Sequence, residues 1–135
     1  MNAGWRLQPS GQTDLSRPLA LLVEDSPDIL RTTGVFLEAA GFEVVRASNG
    51  EAALVPLASG QDFALLVTDF AMPGLNGLEL TMRALKTFPS LKVLIITGYP
   101  DTRDLADLPA GVAMLMKPFS RVQLIAQLKS WFDEA

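Results

Sequence analysis

The sequence lacks two residue types on which many metal sites and nucleophilic enzyme sites depend. Its 135 residues include no cysteine and no histidine. The absence of cysteine excludes disulfide bonds and thiolate metal sites. The absence of histidine excludes Ser-His and Cys-His catalytic pairs, and it removes the commonest general base and the usual zinc ligand. Catalysis or metal binding is therefore left to other residue types.

Basic residues and long apolar runs are also scarce. The 11 Lys and Arg residues are outnumbered by 15 Asp and Glu residues, which gives a net charge of −4. A nucleic-acid-binding surface normally has a basic patch, so this balance argues against nucleic-acid contact. No apolar run approaches the length of about 20 residues needed to cross a bilayer. Residues 1–18 also lack the apolar core of a signal peptide. We therefore expect a cytoplasmic protein without membrane contact.

The remaining composition is typical of one globular domain. Hydrophobic residues make up 49% of the chain, which is enough for a sizeable core, and the length is near the commonest domain size. Residues 1–17 are mostly polar and are predicted to form a flexible N-terminal extension. The domain is expected to span residues 18–135.

Short apolar runs alternate with helical patterns along this domain. The runs predict five buried strands at residues 19–23, 42–47, 63–69, 92–97 and 112–116. Helices are predicted after them, at about 27–40, 48–58, 77–88, 101–108 and 120–132. This alternation predicts an α/β fold, in which a parallel sheet has helices on both faces. Since crossovers are right-handed, a doubly wound five-stranded sheet is the economical solution.

Several helix ends carry capping signals. Three starts are indicated by Ser26 with Pro27, Ser48 with Glu51, and Ser120 with Gln123. Gly41 follows the first helix, where a residue with positive φ commonly ends a helix. Pro56 is expected to kink or shorten the second helix.

Polar side chains stand at the carboxyl ends of four predicted strands, where doubly wound sheets bind ligands. They are Glu24, Asp25, Asp69, Thr97 and Lys117. Three packed carboxylates repel one another, so a positive partner must compensate or their pKa values will rise. Lys117 supplies one charge, and a hard divalent cation that takes oxygen ligands would supply the rest. A carboxylate so placed can act as a nucleophile and form an aspartyl phosphate.

Four motifs at these strand ends resemble those of the receiver domains of two-component response regulators. The motifs are LLVEDSPD, VTDFAMPGLNGLEL, VLIITGY and MLMKPF, and the resemblance extends from Pro18 to Phe132. Each motif alone is weak, whereas all four in order are highly specific. The resemblance implies a flavodoxin-like sheet with strand order 2-1-3-4-5. It also implies a signalling domain that catalyses only its own phosphorylation and dephosphorylation.

The resemblance implies a set of phosphoryl-binding residues. Asp69 would be the phosphoacceptor, and Thr97 would hydrogen-bond the phosphoryl group and move when it arrives. Lys117 would pair with a phosphoryl oxygen, and the peptide bond between Lys117 and Pro118 would be cis. Residues 72–74 and Gly77 would shape the loop after the acceptor.

The resemblance likewise implies a site for Mg²⁺ or Mn²⁺. Asp25 and Asp69 would be direct ligands, and Glu24 would act through water. The backbone carbonyl of Ala71 would be a further ligand.

Three positions are predicted to regulate the switch. Met114 replaces the Tyr or Phe that the family usually has three residues before the lysine, and a flexible Met can fill the same space. Tyr99 lies two residues after Thr97 and can shield the site. It occupies a position that, like that of Ala71, tunes phosphoaspartate lifetime in the family. Pro118 is the third regulatory position, through its cis bond.

The resemblance also implies partners and a conformational change. A chain without histidine cannot carry its own phosphohistidine, so the donor would be a histidine kinase or a histidine phosphotransfer protein. Activation would act through Thr97 and the face formed by the helix at 101–108, the fifth strand and the fifth helix. Only residues 133–135 follow Phe132 in this sequence, so we expect no output domain within it. We therefore expect either a stand-alone receiver, whose downstream partner the sequence does not identify, or a part of a hybrid histidine kinase.

Two other functions fit a doubly wound sheet. A phosphatase of the haloacid-dehalogenase type also uses a strand-end aspartate and Mg²⁺, but it usually has a second acid two residues later, where this chain has Ala71. A flavin-binding protein would need a loop rich in Ser, Thr and Gly after the first strand. Here that loop is the acidic EDSPD, which would repel a phosphate.

Overall fold

The computed structural model describes residues 17–98 and 108–132. The strands are β1 Leu19–Val23, β2 Glu43–Ala47, β3 Phe63–Asp69, β4 Lys92–Thr97 and β5 Val112–Met116. The helices are α1 Pro27–Ala39, α2 Gly50–Leu57, α3 Gly77–Thr87 and α4 Arg121–Phe132. All strand pairs are parallel, and the order is β2-β1-β3-β4-β5. The predicted doubly wound α/β fold and its strand order are confirmed.

Three predictions concern residues that lie outside the described ranges. They are the N-terminal extension up to residue 16, the regulatory residue Tyr99, and the helix predicted at 101–108. The helix called α4 is consequently the one that the sequence predicted as the fifth. No helix among the described residues is long and apolar enough to cross a bilayer.

The central strand β3 shares its side chains between two hydrophobic cores. Successive strand residues point to opposite faces. Leu66 belongs to the core that contains the buried side chains of α2 and α3, whereas Leu65 and Val67 belong to the core beneath α1 and α4. All three are fully buried, and such burial stabilises the fold by about 1.5 to 3 kcal/mol for each side chain. This double burial fixes the position at which β3 ends, and therefore the position of Asp69.

The ends of α1 and α4 agree with the capping signals. Ser26 is the N-cap of α1 and Pro27 is its first residue, although the Ser26 side chain makes no capping hydrogen bond. Gly41 follows the C-cap with a φ of 111°, a conformation that glycine adopts without strain. At α4, the Gln123 N–H donates to Ser120 Oγ at 3.0 Å, and the Ser120 N–H donates to Gln123 Oε1 at 2.8 Å.

The start of α2 differs from its prediction. Asn49, not Ser48, is the N-cap, and its Oδ1 accepts the Ala52 N–H at 2.7 Å. Ser48 and Asn49 are both good capping residues. Gly50, the first residue of the helix, packs closely against Leu75, a contact between distant segments that local capping signals do not indicate. Pro56 lies inside α2, and the helix ends one residue later, at Leu57.

Candidate functional site

The carboxyl ends of β1, β3, β4 and β5 bring the predicted polar residues to one edge of the sheet. Val23, the last residue of β1, pairs with Thr68, so Glu24 and Asp69 are the next residues on adjacent strands. Likewise Thr97 pairs with Met116, and the Lys117 N–H donates to the Thr97 carbonyl at 2.8 Å. The strand register thus places the predicted residues beside one another.

Glu24, Asp25 and Asp69 form one carboxylate cluster. An oxygen from each lies within 4.8 Å of the others. Glu24 and Asp69 are 3% and 6% exposed, whereas Asp25 is open to solvent. Carboxylate oxygens with one side open to water are the donor set that Mg²⁺ takes, because this ion usually retains several waters. The residues therefore fit the predicted divalent cation.

Lys117 connects the two buried acids. Its Nζ atom lies 3.2 Å from Oδ1 of Asp69 and 3.3 Å from Oε1 of Glu24. The other oxygen of Glu24, Oε2, accepts the Ser26 N–H at 3.0 Å. Both oxygens of Glu24 are thus engaged by other groups of the protein.

Burial and neighbouring charges have opposing effects on the pKa values of Glu24, Asp69 and Lys117. Burial raises the pKa of Asp69 above its usual value, and the nearby Lys117 only partly opposes this. Burial also raises the pKa of Glu24, against the hydrogen bond from the Ser26 N–H. Burial alone would lower the pKa of Lys117, but the charges of Asp69 and Glu24 raise it above its usual value. Two acids therefore share one ammonium, and a further positive charge would favour their ionised forms.

The other predicted residues that the structure describes lie in β4, in β5 and in the segments that follow β3 and β5. Thr97 is the last residue of β4 and is 2% exposed, and Ala71 is exposed in the loop after β3. The peptide bond between Lys117 and Pro118 is cis, as predicted. Met114 lies in β5 opposite Ile95, and it is 37% exposed.

The main chain at Asp69 is held by contacts that the sequence did not indicate. Thr68 Oγ1 donates to the Asp69 carbonyl at 2.9 Å. The Phe70 N–H extends the pairing of β3 with β4 by donating to the Ile96 carbonyl at 2.7 Å, and the Gly77 N–H donates to the Phe70 carbonyl at 2.8 Å. Gly77 lies so close to the Asp69 carbonyl that a Cβ there would overlap it. This explains why the loop needs the glycine that the sequence singled out.

A cavity of about 580 Å³ opens beside Lys117, between α1 and the segment that follows β5. Its apolar lining comes from Ile29 and Phe36 on one side and from Pro118 and Phe119 on the other. The sequence does not indicate this cavity, because the residues that line it come from segments far apart in the chain.

Comparison with known proteins gives a consistent result. The family model of the response regulator receiver domain matches residues 20–129. The response regulator receiver protein CpdR of Brucella abortus is 36% identical over 115 residues, which are 81% of this chain and 92% of CpdR. The sensor kinase CckA of the same organism is 32% identical over 126 residues, which are 90% of this chain but 13% of CckA. The chain thus spans nearly all of one relative and a small part of the other.

Solved structures that resemble this chain are also receiver domains. The receiver domain of the hybrid histidine kinase CckA has a TM-score of 0.72 and 30% identity, with 83% of this chain and 96% of that domain covered. A CheY-like receiver domain protein from Methanospirillum hungatei JF-1 has a TM-score of 0.79 and 32% identity, with coverages of 88% and 96%. The chain therefore belongs to the response regulator receiver domain family, the signalling domains of two-component systems.

Proposed function

We propose that this receiver domain is the phosphoacceptor switch of a two-component phosphorelay in the cytoplasm, and that Asp69 accepts the phosphoryl group. The proposal rests on one observation above all. Asp69 ends the central strand within 3.2 Å of Lys117 and in one carboxylate cluster with Glu24 and Asp25. This combines a nucleophile, a fixed ammonium and a set of oxygen ligands, which are the parts that phosphoryl transfer requires.

The proposed step is an in-line transfer from a phosphohistidine. An oxygen of the Asp69 carboxylate attacks phosphorus, the O–P bond forms and the N–P bond breaks. The imidazole leaves with the electron pair and takes up a proton. Lys117 would stay close to the acceptor and neutralise a phosphoryl oxygen, and the Thr97 hydroxyl would donate a hydrogen bond to another.

The carboxylate cluster is the proposed site for Mg²⁺ or Mn²⁺. Asp25, Asp69 and the Ala71 carbonyl would hold the ion, and Glu24 would act through water. When bound, the cation supplies positive charge to the phosphoryl oxygens. Because burial raises the pKa of Asp69, this charge would also favour the ionised, nucleophilic form of the acceptor.

The phosphoryl donor is proposed to be a histidine kinase or a histidine phosphotransfer protein. The chain has no histidine, so the phosphohistidine must lie outside this sequence. The likeness to the receiver domain of a hybrid histidine kinase supports a donor of this class.

Treatment with acetyl phosphate and Mg²⁺, followed by intact-mass analysis, tests the acceptor. The parent protein is expected to gain the mass of one phosphoryl group, and Asp69→Asn is expected to gain none. Asp62→Asn is the matched control, because Asp62 is an exposed acid that precedes the same strand, and it should behave as the parent does. Equal modification of Asp69→Asn and the parent would show that another residue is the acceptor.

The conformational switch is tested separately by amide exchange with and without beryllofluoride, a mimic of the phosphoryl group. We expect altered protection at Thr97, in β5 and α4, and over residues 101–108, where the sequence predicts a helix. Met114 lies in β5, where the Met would take the space of the family's usual aromatic ring. If the protein binds beryllofluoride but amide exchange across residues 97–122 is unchanged, the proposed switch is contradicted. The proposal that Asp69 is the acceptor would not be affected by that result.

A further inference from the structure

The loop between β3 and α3 is tied to α2 by a carboxylate that the site described above does not include. Glu51 lies in the first turn of α2, and its Oε2 accepts the Leu75 N–H at 3.1 Å. These two residues are 24 positions apart in the chain. The loop in question runs from Phe70 to Asn76 and contains Ala71, whose carbonyl is a proposed metal ligand.

Two glycines allow this contact. A Cβ at Gly74 would lie 2.7 Å from Oε2 of Glu51, so the carboxylate occupies the space that a side chain at position 74 would fill. Gly74 also has a φ of 79°, which other residues adopt only with strain. A Cβ at Gly50 would lie 2.8 Å from both the Cβ and the carbonyl oxygen of Leu75. The loop and the start of α2 are therefore fitted to each other at two adjacent points.

The two ends of the loop are held differently from its middle. At its start, Phe70 bonds to β4 and to Gly77 through its main chain. At its end, Asn76 and Glu79 form a capping box, with bonds of 2.8 and 2.9 Å. Between these ends, Glu51 provides a long-range hydrogen bond to the main chain of the loop.

We infer that Glu51 is a positioning residue for the phosphoacceptor site, which holds the β3–α3 loop so that the Ala71 carbonyl faces the carboxylate cluster. Ala71 is exposed and has no polar side chain, so its orientation depends on the main chain of the loop. The inference rests on the proposed metal site and adds to it a residue that does not touch the ion.

The test measures Mg²⁺ affinity of the unphosphorylated protein by calorimetry in the parent, Glu51→Ala and Glu51→Gln. We expect Glu51→Ala to raise the dissociation constant about three- to tenfold, as loss of one net hydrogen bond would. Glu51→Gln retains an acceptor oxygen, and it should restore most of the affinity. Amide exchange at Leu75 without metal should be faster in Glu51→Ala and close to the parent rate in Glu51→Gln.

A control separates the hydrogen bond from the charge. Glu43→Gln removes one exposed negative charge at the start of β2, at the opposite end of the strands, and it should leave Mg²⁺ affinity unchanged.

If Glu51→Gln binds Mg²⁺ as weakly as Glu51→Ala, the charge and not the hydrogen bond is responsible, and the inference fails. If Glu51→Ala loosens Leu75 but binds Mg²⁺ as the parent does, the contact is structural only, and the inference again fails. A parent that binds no Mg²⁺ would instead overturn the proposed metal site, and the inference with it.

Discussion

The Nζ atom of Lys117 lies 3.2 Å from Oδ1 of Asp69, across the carboxyl end of β4. The same nitrogen lies 3.3 Å from Glu24, so one ammonium faces two buried carboxylates. Because the two acids share this one ammonium, burial keeps the pKa values of both raised although Lys117 lies beside them. In the metal-free protein, Lys117 is therefore expected to stabilise the fold as well as to serve the proposed chemistry.

Lys117→Ala should destabilise the metal-free protein by about 1 to 3 kcal/mol, because two buried acids lose a charged hydrogen-bond donor. Urea unfolding in the presence of EDTA at neutral pH measures the effect. Lys129→Ala is the matched control, since Lys129 is exposed on α4 and should change stability little. An unfolding midpoint for Lys117→Ala equal to that of the control would contradict the stabilising role.

Asp69→Asn should become progressively more stable than the parent as pH rises, in the absence of metal. Since burial raises the pKa of Asp69, the folded protein holds a proton at pH values where the unfolded chain has lost it. The free energy of unfolding of the parent therefore falls with rising pH. The free energy of unfolding begins to fall near the ordinary Asp pKa of about 3.9, and it stops falling above the raised pKa of folded Asp69. Between these two pKa values, it falls by about 1.4 kcal/mol for each pH unit. Denaturant unfolding of both proteins across this pH range measures the difference between their free energies of unfolding. A stability advantage of Asp69→Asn that shrinks as pH rises would contradict the prediction.

The sequence predicts those parts of the fold and site that depend on local patterns. The bounds of β3, Phe63–Asp69, follow from a continuous apolar run, and a buried strand that ends in Asp69 must deliver this acid to the sheet edge. The strand ends also predict that Lys117 lies at this edge and offsets part of the acidic charge, whereas its distance from Asp69 comes from the structure. The contacts of Glu51 and Thr68 were not predicted. The first joins residues 24 positions apart, and the second depends on the side-chain conformation of a buried Thr.

The start of α2 shows where local signals are insufficient, and it provides a further prediction. Asn49→Ala should destabilise the protein by about 1 kcal/mol, because the Ala52 N–H loses its acceptor. Ser48→Ala should have little effect, since Ser48 is exposed and is not the N-cap. Thermal unfolding of both variants measures this difference. The opposite ranking would mean that the helix begins where the sequence pattern first suggested.

Two buried glycines differ in what a new side chain would meet. At Gly34 in α1, a Cβ would meet the guanidinium of Arg46, with its Cζ at 2.6 Å. Arg46 is a long and partly exposed side chain, paired with Glu38 at 3.5 Å, and its end can move aside. At Gly77, a Cβ would overlap the Asp69 carbonyl and lie 2.9 Å from the Phe70 Cα, and neither belongs to a flexible side chain.

Gly77→Ala should therefore destabilise the protein by about 1 to 3 kcal/mol, the usual cost of forcing extra atoms into a packed site. Gly34→Ala should change stability little or increase it, because Ala in a helix interior is favoured over Gly by about 1 kcal/mol, which offsets the displacement of Arg46. Urea unfolding compares the two, and intact-mass analysis after acetyl phosphate treatment follows modification of Asp69. Since only the change at position 77 displaces the main chain of the acceptor, only Gly77→Ala should slow that modification. Equal effects of the two substitutions would mean that the close approach of Gly77 does not fix the position of Asp69.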